Sequence, residues 1–253
     1  EYVEAACDLL DKAVTCRLRS AGGVASHLSS GLDSSTVTAT AARLLGAAGK
    51  ELFSFTAVPR KGFNGPVPKG RHADEGPAAT ALAARFPNIN HILFRSGKRT
   101  PVDDLLKKVE RFDRAPLNPC NHVWIDGIQE EASQNGARVL LTGQMGNMTI
   151  SYNGNPRLPS LLRQGKLIQW FSEALALVRN TDTRLRGALF QSLSPFMPIP
   201  LWKTVNAWKG KRWTNLHDYT AIHPDLICRT NLKGRAQQAG WDLSYRPWSD
   251  GRK

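Results

Sequence analysis

The chain has 253 residues, 41% of them apolar before its 21 glycines are counted, and 34 Lys+Arg against 21 Asp+Glu, a net charge of 34 − 21 = +13. This composition can bury a sizeable core and excludes intrinsic disorder, and no apolar run approaches the roughly 20 residues of a membrane-crossing helix. Cys7, Cys16, Cys120 and Cys228 lie far apart, with no C-x-x-C pair and no secretory h-region at the start, which suggests neither a disulfide framework nor a zinc knuckle and leads us to expect a soluble, cytoplasmic protein.

Residues 2–19 place Val3, Ala6, Leu10, Ala13, Val14 and Leu18 on one helical stripe. Gly22-Gly23 breaks it, and Val24 to Leu28 reads as a first strand running into small polar residues. A helix is expected from Ser35 to Gly46, with Val37, Ala41, Leu44 and Leu45 on its inner face, followed by a strand at Leu52–Val58. The stretch Pro59–Ala73, rich in Gly and Pro, reads as a long loop, either a functional element or an insertion. A helix then opens at Asp74, a strand covers Ile89–Phe94, helices cover 102–112 and 123–135, and Arg138–Thr142 is the last strand before Gly143. Strands separated by helices of this length predict an α/β fold: an open, mostly parallel sheet with helices on both faces.

Beyond residue 151 the periodicity is helical, near 160–178 and 183–191, with a break at Pro195, Pro198 and Pro200. We expect two parts, a nucleotide-binding α/β domain over 1–155 and a mainly helical part over 156–253. Charge follows this division, since residues 1–150 carry 18 basic and 15 acidic side chains (+3) and 151–253 carry 16 and 6 (+10), with six of the seven tryptophans. Trp202, Trp208 and Trp213 beside Lys209, Lys211 and Arg212 suit either a polyanion-tracking surface or half-buried anchors with solvated neighbours.

In an open parallel sheet ligands bind beyond the carboxyl ends of strands, where helix N-termini present free N–H groups. Ser29-Ser30-Gly31-Leu32-Asp33-Ser34-Ser35 occupies such an end. Its N–H groups and hydroxyls suit a phosphate, Gly31 suits a tight turn, and Asp33 suits a metal ion bridging phosphate oxygens; the plainer alternative is that Ser and Asp cap the helix. Neither a G-K-[ST] nor a G-x-G-x-x-G pattern is present. Thr142-Gly143-Gln144-Met145-Gly146-Asn147 has the same strand-to-glycine form and is expected at the same edge. His27, ending the first strand, reads as a hydrogen-bonded spacer, and His91 as packed.

The run Leu28–Ser35 resembles the Ser-Gly-Gly-x-Asp-Ser loop of the ATP pyrophosphatase (PP-loop) superfamily, whose fold is that of the adenine nucleotide alpha hydrolases, and is most similar to its asparagine synthetase branch. Thr142-Gly143-Gln144, Asp74-Glu75 and the segment from Asp113 to Pro119 extend the resemblance over roughly residues 1–155. It implies ATP with its pyrophosphate on Ser29, Ser30, Gly31, Ser34 and Ser35, its adenine or ribose near Leu28, Phe55, Thr56 and Gly143, and Mg²⁺ on Asp33 with Asn147. Gln144 and Asn147 stand where asparagine-forming members carry glutamate and aspartate, and Ser30 stands where a glycine is usual. Asp33, Gln144 and Asn147 are the implied catalytic positions, Arg60 and Lys61 are further phosphate candidates, and Lys203, Lys209, Lys211 and Lys233 are candidates for the lysine the family supplies late in its chain.

The implied reaction is ATP-dependent amide formation through an acyl-adenylate, releasing AMP and pyrophosphate. Its partners would be a carboxylate, aspartate or a peptide carboxylate, and an amine. No glutaminase activity is expected from these residues, which leaves either ammonia from a glutaminase domain or partner subunit or another amine; lasso-peptide cyclases and β-lactam synthetases share the synthetase domain and close an amide within their substrate. Two other readings stand beside this one: a degenerate nucleotide-binding domain without turnover, and an RNA-modifying PP-loop enzyme, though nucleic acid is not the expected partner.

Overall fold

The alternating apolar runs assemble into one sheet in a computed structural model of the chain, which describes residues 1–67, 72–103, 105–113, 119–152, 154, 157–181, 183–208, 222–241 and 243. Contacts divide the chain into two compact units, Glu1–Tyr152 and Asn153–Lys253. The first holds helices α1 (Tyr2–Arg17), α2 (Leu32–Ala47), α3 (Gly76–Ala83), α4 (Leu105–Phe112) and α5 (Pro119–Gln134) and strands β1 (Gly23–His27), β2 (Leu52–Ala57), β3 (Ile89–Phe94) and β4 (Ala137–Leu141). All described strand pairs are parallel, in the order β3-β2-β1-β4. The chain therefore steps outward from β1 to β3 and returns to the other side of β1, which makes the β1/β4 boundary the switch point where such sheets open a crevice.

Alternation along the strands divides the core between two faces. On one, Val24, Leu52 and Leu141 pack with Val14 of α1 and Ala41, Ala42 and Leu45 of α2, and Leu28 packs with Ala79 and Ala83 of α3. On the other, Ala25 and Phe55 pack with Ile128 and Ala132 of α5, joined by Trp124 and Phe94. Small residues dominate α2 and α3 where they cross the strands, so helix and sheet backbones approach closely. The stripe expected on α1 is only half used: Leu10, Val14 and Leu18 meet α2, whereas Val3 and Ala6 are exposed because the helix packs through its C-terminal half.

Helix starts differ from the sequence expectation, α4 beginning at Leu105 and not at 102. α2 begins at Leu32, not Ser35, so Asp33, Ser34 and Ser35 lie in its first turn. α3 begins at Gly76, whose N–H donates to Asp74 Oδ1 at 2.8 Å, so Asp74 stands just before the helix. α5 begins at Pro119, a residue tolerated in a first turn, and so brings Cys120 and Asn121 into the helix. All four cysteines are free thiols.

The second unit contains α6 (Arg157–Arg163), α7 (Leu167–Asn180), α8 (Leu185–Leu193), α9 (Ile199–Trp208), α10 (Pro224–Arg229) and α11 (Leu232–Gln238). The helical pattern near 160–178 is divided because Gly165 takes φ +70°, a left-handed conformation that ends α6 before α7 starts. Ser194–Phe196 forms a 3₁₀ turn at the expected break, but Pro200 sits inside the first turn of α9, where its missing N–H costs nothing. Leu158, Ala174 and Ala188 form a core with Trp170, whose Nε1 donates to Ser192 Oγ at 2.8 Å. Trp202 is buried and Trp208 is 92% exposed; Trp213, Lys209, Lys211 and Arg212 lie outside the described residues. Among the described residues no helix is long and apolar enough to cross a membrane.

Candidate functional site

The two strand-end loops meet at the switch point. β1 runs into Leu28, whose N–H donates to Phe55 O at 2.8 Å and whose carbonyl accepts from Thr56 Oγ1 at 2.8 Å, so the backbone there is held within the sheet. The chain then turns through Ser29–Gly31 into α2. Ser29 N–H donates to Ser34 Oγ at 3.0 Å, the two hydroxyls are 2.5 Å apart, Gly31 N–H donates to Ser29 Oγ at 3.1 Å, and Ser35 Oγ donates to Ser29 O at 3.1 Å. The serines thus brace the turn itself. No side chain caps α2, so these residues do not act as its caps, and its first turn is of the kind at which N–H groups and the positive dipole end can receive an anion.

Neither loop position flagged by its glycine requires a left-handed backbone. Gly31 has φ −77°, and Ser30 is not among the residues with positive φ, so serine in place of the usual glycine brings no strain there. The glycine requirement falls on the second loop instead. A Cβ on Gly143 would lie 2.5 Å from Ser34 N and 2.8 Å from Asp33 C, and one on Gly146 would lie 2.2 Å from Asp33 Cγ. The loop after β4 therefore rests directly on the start of α2, and between its two glycines Met145 takes φ +67°.

Asp33 is the residue clasped by both loops. Its Oδ2 accepts from Ser151 Oγ at 3.0 Å, while its Oδ1 is buried without a hydrogen-bond partner. Leaving a buried acceptor unsatisfied costs about 1–3 kcal/mol, which a cation would relieve. Magnesium binds through one or two carboxylates and completes its shell with phosphate oxygens and water, a demand that Asp33 fits. Asn147 adjoins Gly146 but is exposed and outside the cleft lining. Among the described residues no group of three or more His, Cys, Asp or Glu gathers to hold a metal.

A cleft of about 910 Å³ opens beside this junction. It is lined by Leu28, Ser29, Gly31, Asp33, Ser34, Phe55, Gly143 and Gln144 of the sequence candidates, together with Arg60. Ser30, Ser35, Thr56, Lys61 and Asn147 are not on it. Thr56, expected near ribose or adenine, is not on the lining, and its hydroxyl is shared between Leu28 O and His91 Nε2, 2.9 Å away. Ser30 meets the site through its backbone, donating to Glu75 Oε2 at 3.3 Å. Arg60 stands at the rim, its Nε donating to Ser96 Oγ at 3.2 Å and its Nη2 to Arg99 O. Of the late lysines, Lys203 and Lys233 lie in α9 and α11 of the second unit.

The sequence did not place Glu75, Trp124 or Ser151 at the site, although Asp74-Glu75 carries part of the resemblance. Glu75 comes 45 residues after Ser30 and Ser151 comes 118 after Asp33, separations at which no local pattern reports contact. Trp124 carried a usable signal as the single tryptophan of residues 1–152.

His27 projects onto the α5 face, its ring 5.5 Å from that of Trp124 at a 60° tilt, with Nε2 buried and unpartnered. It is no hydrogen-bonded spacer through that nitrogen. Burial holds its pKa below the usual 6.5, and does the same for His91. A histidine depressed in the folded state binds fewer protons than in the unfolded chain just below pH 6.5, so stability falls as pH is lowered through that value. Unfolding midpoints in urea at pH about 7.5 and 5.5 should differ in this direction. His27→Leu should remove part of the difference and, by deleting an unsatisfied buried nitrogen, raise the midpoint at both pH values; an unchanged pH dependence would count against the assignment.

The parallel sheet, its switch-point crevice, the uncapped helix end and the aspartate between two glycine loops fit a domain of the pyrophosphate-loop class, and the family match makes it an ATP-dependent, ligase-type one. The asparagine synthase family matches residues 5–239, and the chain belongs to that family. Among curated proteins no significant match is found. Among solved structures the chain is similar to the NH3-dependent NAD synthetase from Campylobacter jejuni, determined in complex with the nitrate ion, at 15% identity over 82% of this chain and 94% of that one, with a TM-score of 0.35.

Proposed function

We infer that this protein forms an amide by activating a carboxylate with ATP, passing through an acyl-adenylate and releasing pyrophosphate and AMP. The observation that carries the reading is the junction of the two loops, in which Gly143 and Gly146 press against the uncapped start of α2 and enclose Asp33. The N–H groups of that helix end and of the turn would receive the pyrophosphate, and Asp33 would hold Mg²⁺ against it. Bound there, Mg²⁺ would neutralise phosphate charge that otherwise repels an incoming carboxylate. Gln144 lines the cleft beside Gly143, where it can orient the carboxylate by hydrogen bonds without adding charge. An amine then displaces AMP, and the new C–N bond replaces the carboxyl–phosphate bond.

Exchange of labelled pyrophosphate into ATP, assayed across a panel of carboxylates that includes aspartate and peptide acids, tests this. Exchange with at least one carboxylate supports the ligase reading. ATP binding without exchange for any of them supports the second reading, a nucleotide-binding domain without turnover, which the exposed position of Asn147 favours.

A further inference from the structure

We propose that Trp124 is the residue on which the base of the bound nucleotide stacks, with His27 as the positioning residue that sets the indole. This rests on the reading of the cleft as an ATP site and names the part of it that discriminates a nucleotide from bare polyphosphate.

Leu28 and Phe55, at the strand ends, are almost fully buried and offer a base no free face to stack on, and the N–H and carbonyl of Leu28 are both engaged within the sheet. Trp124 is only half-buried and lines the same cleft as Ser29, Asp33 and Ser34, from the helix that covers the other side of the sheet. Its ring lies 5.5 Å from that of His27, which ends β1 two residues before Ser29. Phe55, Phe94 and Ile128 form one apolar cluster with the indole and also line the cleft, which favours a flat uncharged ring beside it, while Asn121 and Gln129 of the same helix supply polar groups to the lining.

The His27 ring lines the same cleft and meets Trp124 in a tilted arrangement typical of aromatic pairs. By packing against the indole it sets the orientation of that ring.

Calorimetry with Mg²⁺ would compare ATP with inorganic tripolyphosphate, which has the charges and no base. Stacking on an aromatic side chain predicts that Trp124→Leu weakens ATP about 10- to 100-fold and leaves tripolyphosphate unchanged, while Trp124→Phe retains most of the ATP affinity. His27→Leu should weaken ATP by a smaller factor, again sparing tripolyphosphate, although it stabilises the fold. Trp124→Phe also secures the test if the leucine variant does not fold: ATP alone should quench tryptophan emission in the wild type and not in this variant.

Equal losses for ATP and tripolyphosphate, or ATP affinity indifferent to Trp124, would overturn the assignment. Quenching that needs the carboxylate substrate would do so too, since it would place the acyl group on the indole. If the wild type binds neither ATP nor tripolyphosphate, the ligase reading itself fails and this assignment with it; ATP binding that ignores Trp124 sinks this assignment alone.

Discussion

Asp33→Ala is expected to remove the Mg²⁺-dependent component of ATP binding, raising the Kd at least about 30-fold, or about 2 kcal/mol, and to abolish pyrophosphate exchange. The fold should survive. The variant loses one hydrogen bond from Ser151 Oγ, a contribution of about 1 kcal/mol, but it also removes a buried carboxylate oxygen that has no partner, and the two effects oppose each other. Calorimetry with and without Mg²⁺, on wild type and variant of equal thermal midpoint, reads the effect. ATP affinity that ignores both the metal and the substitution would mean that the cation, if any, is held elsewhere. Asp33→Asn sharpens the test because it keeps the hydrogen bond from Ser151 and removes only the charge.

The second large effect falls on a glycine that lies outside the Ser-rich motif. Gly143→Ala places a methyl 2.5 Å from Ser34 N, a backbone atom in the first turn of a helix that cannot rotate aside. The loop after β4 and the start of α2 must then separate by about 1 Å, a displacement that costs about 100-fold in rate when it misplaces reacting groups. Overpacking of this kind also destabilises by about 1–3 kcal/mol. Gly31→Ala is the informative control, since Gly31 has an ordinary φ of −77° and its added methyl would meet only the Ser29 hydroxyl, at 3.2 Å. Denaturant unfolding should show a clear loss for Gly143→Ala and a change below about 0.5 kcal/mol for Gly31→Ala. Similar losses for both would show that the glycines act through backbone freedom and not through contact between the loops.

Expectation and structure agree where physics is local and part company where it is not. Strand β3 spans Ile89–Phe94 as its apolar run predicts, and β1, β2 and β4 end within a residue or so of expectation, because an apolar run that fits a pleated surface declares itself over six residues. The α/β class follows from the spacing of those runs, since parallel strands need helices of this length between them. The Ser-rich turn and the Thr-Gly loop were legible for the same reason: each is a contiguous run at a strand end.

What the sequence determined by itself, then, is the sheet, its helices and two loops at one edge of it. The tertiary structure decided the rest. Strand order places β4 beside β1, and only that order puts Gly143 and Gly146 onto Asp33; only the packing of α5 brings Trp124 to His27; and Ser151 reaches a carboxylate 118 residues earlier in the chain. Turn propensity pointed to Gly31 as the glycine with a special task, whereas close approach of two backbones gives that task to Gly143 and Gly146. Propensity is a property of a few neighbouring residues, and contact between distant segments is fixed by burial and strand order, which no short stretch of sequence contains.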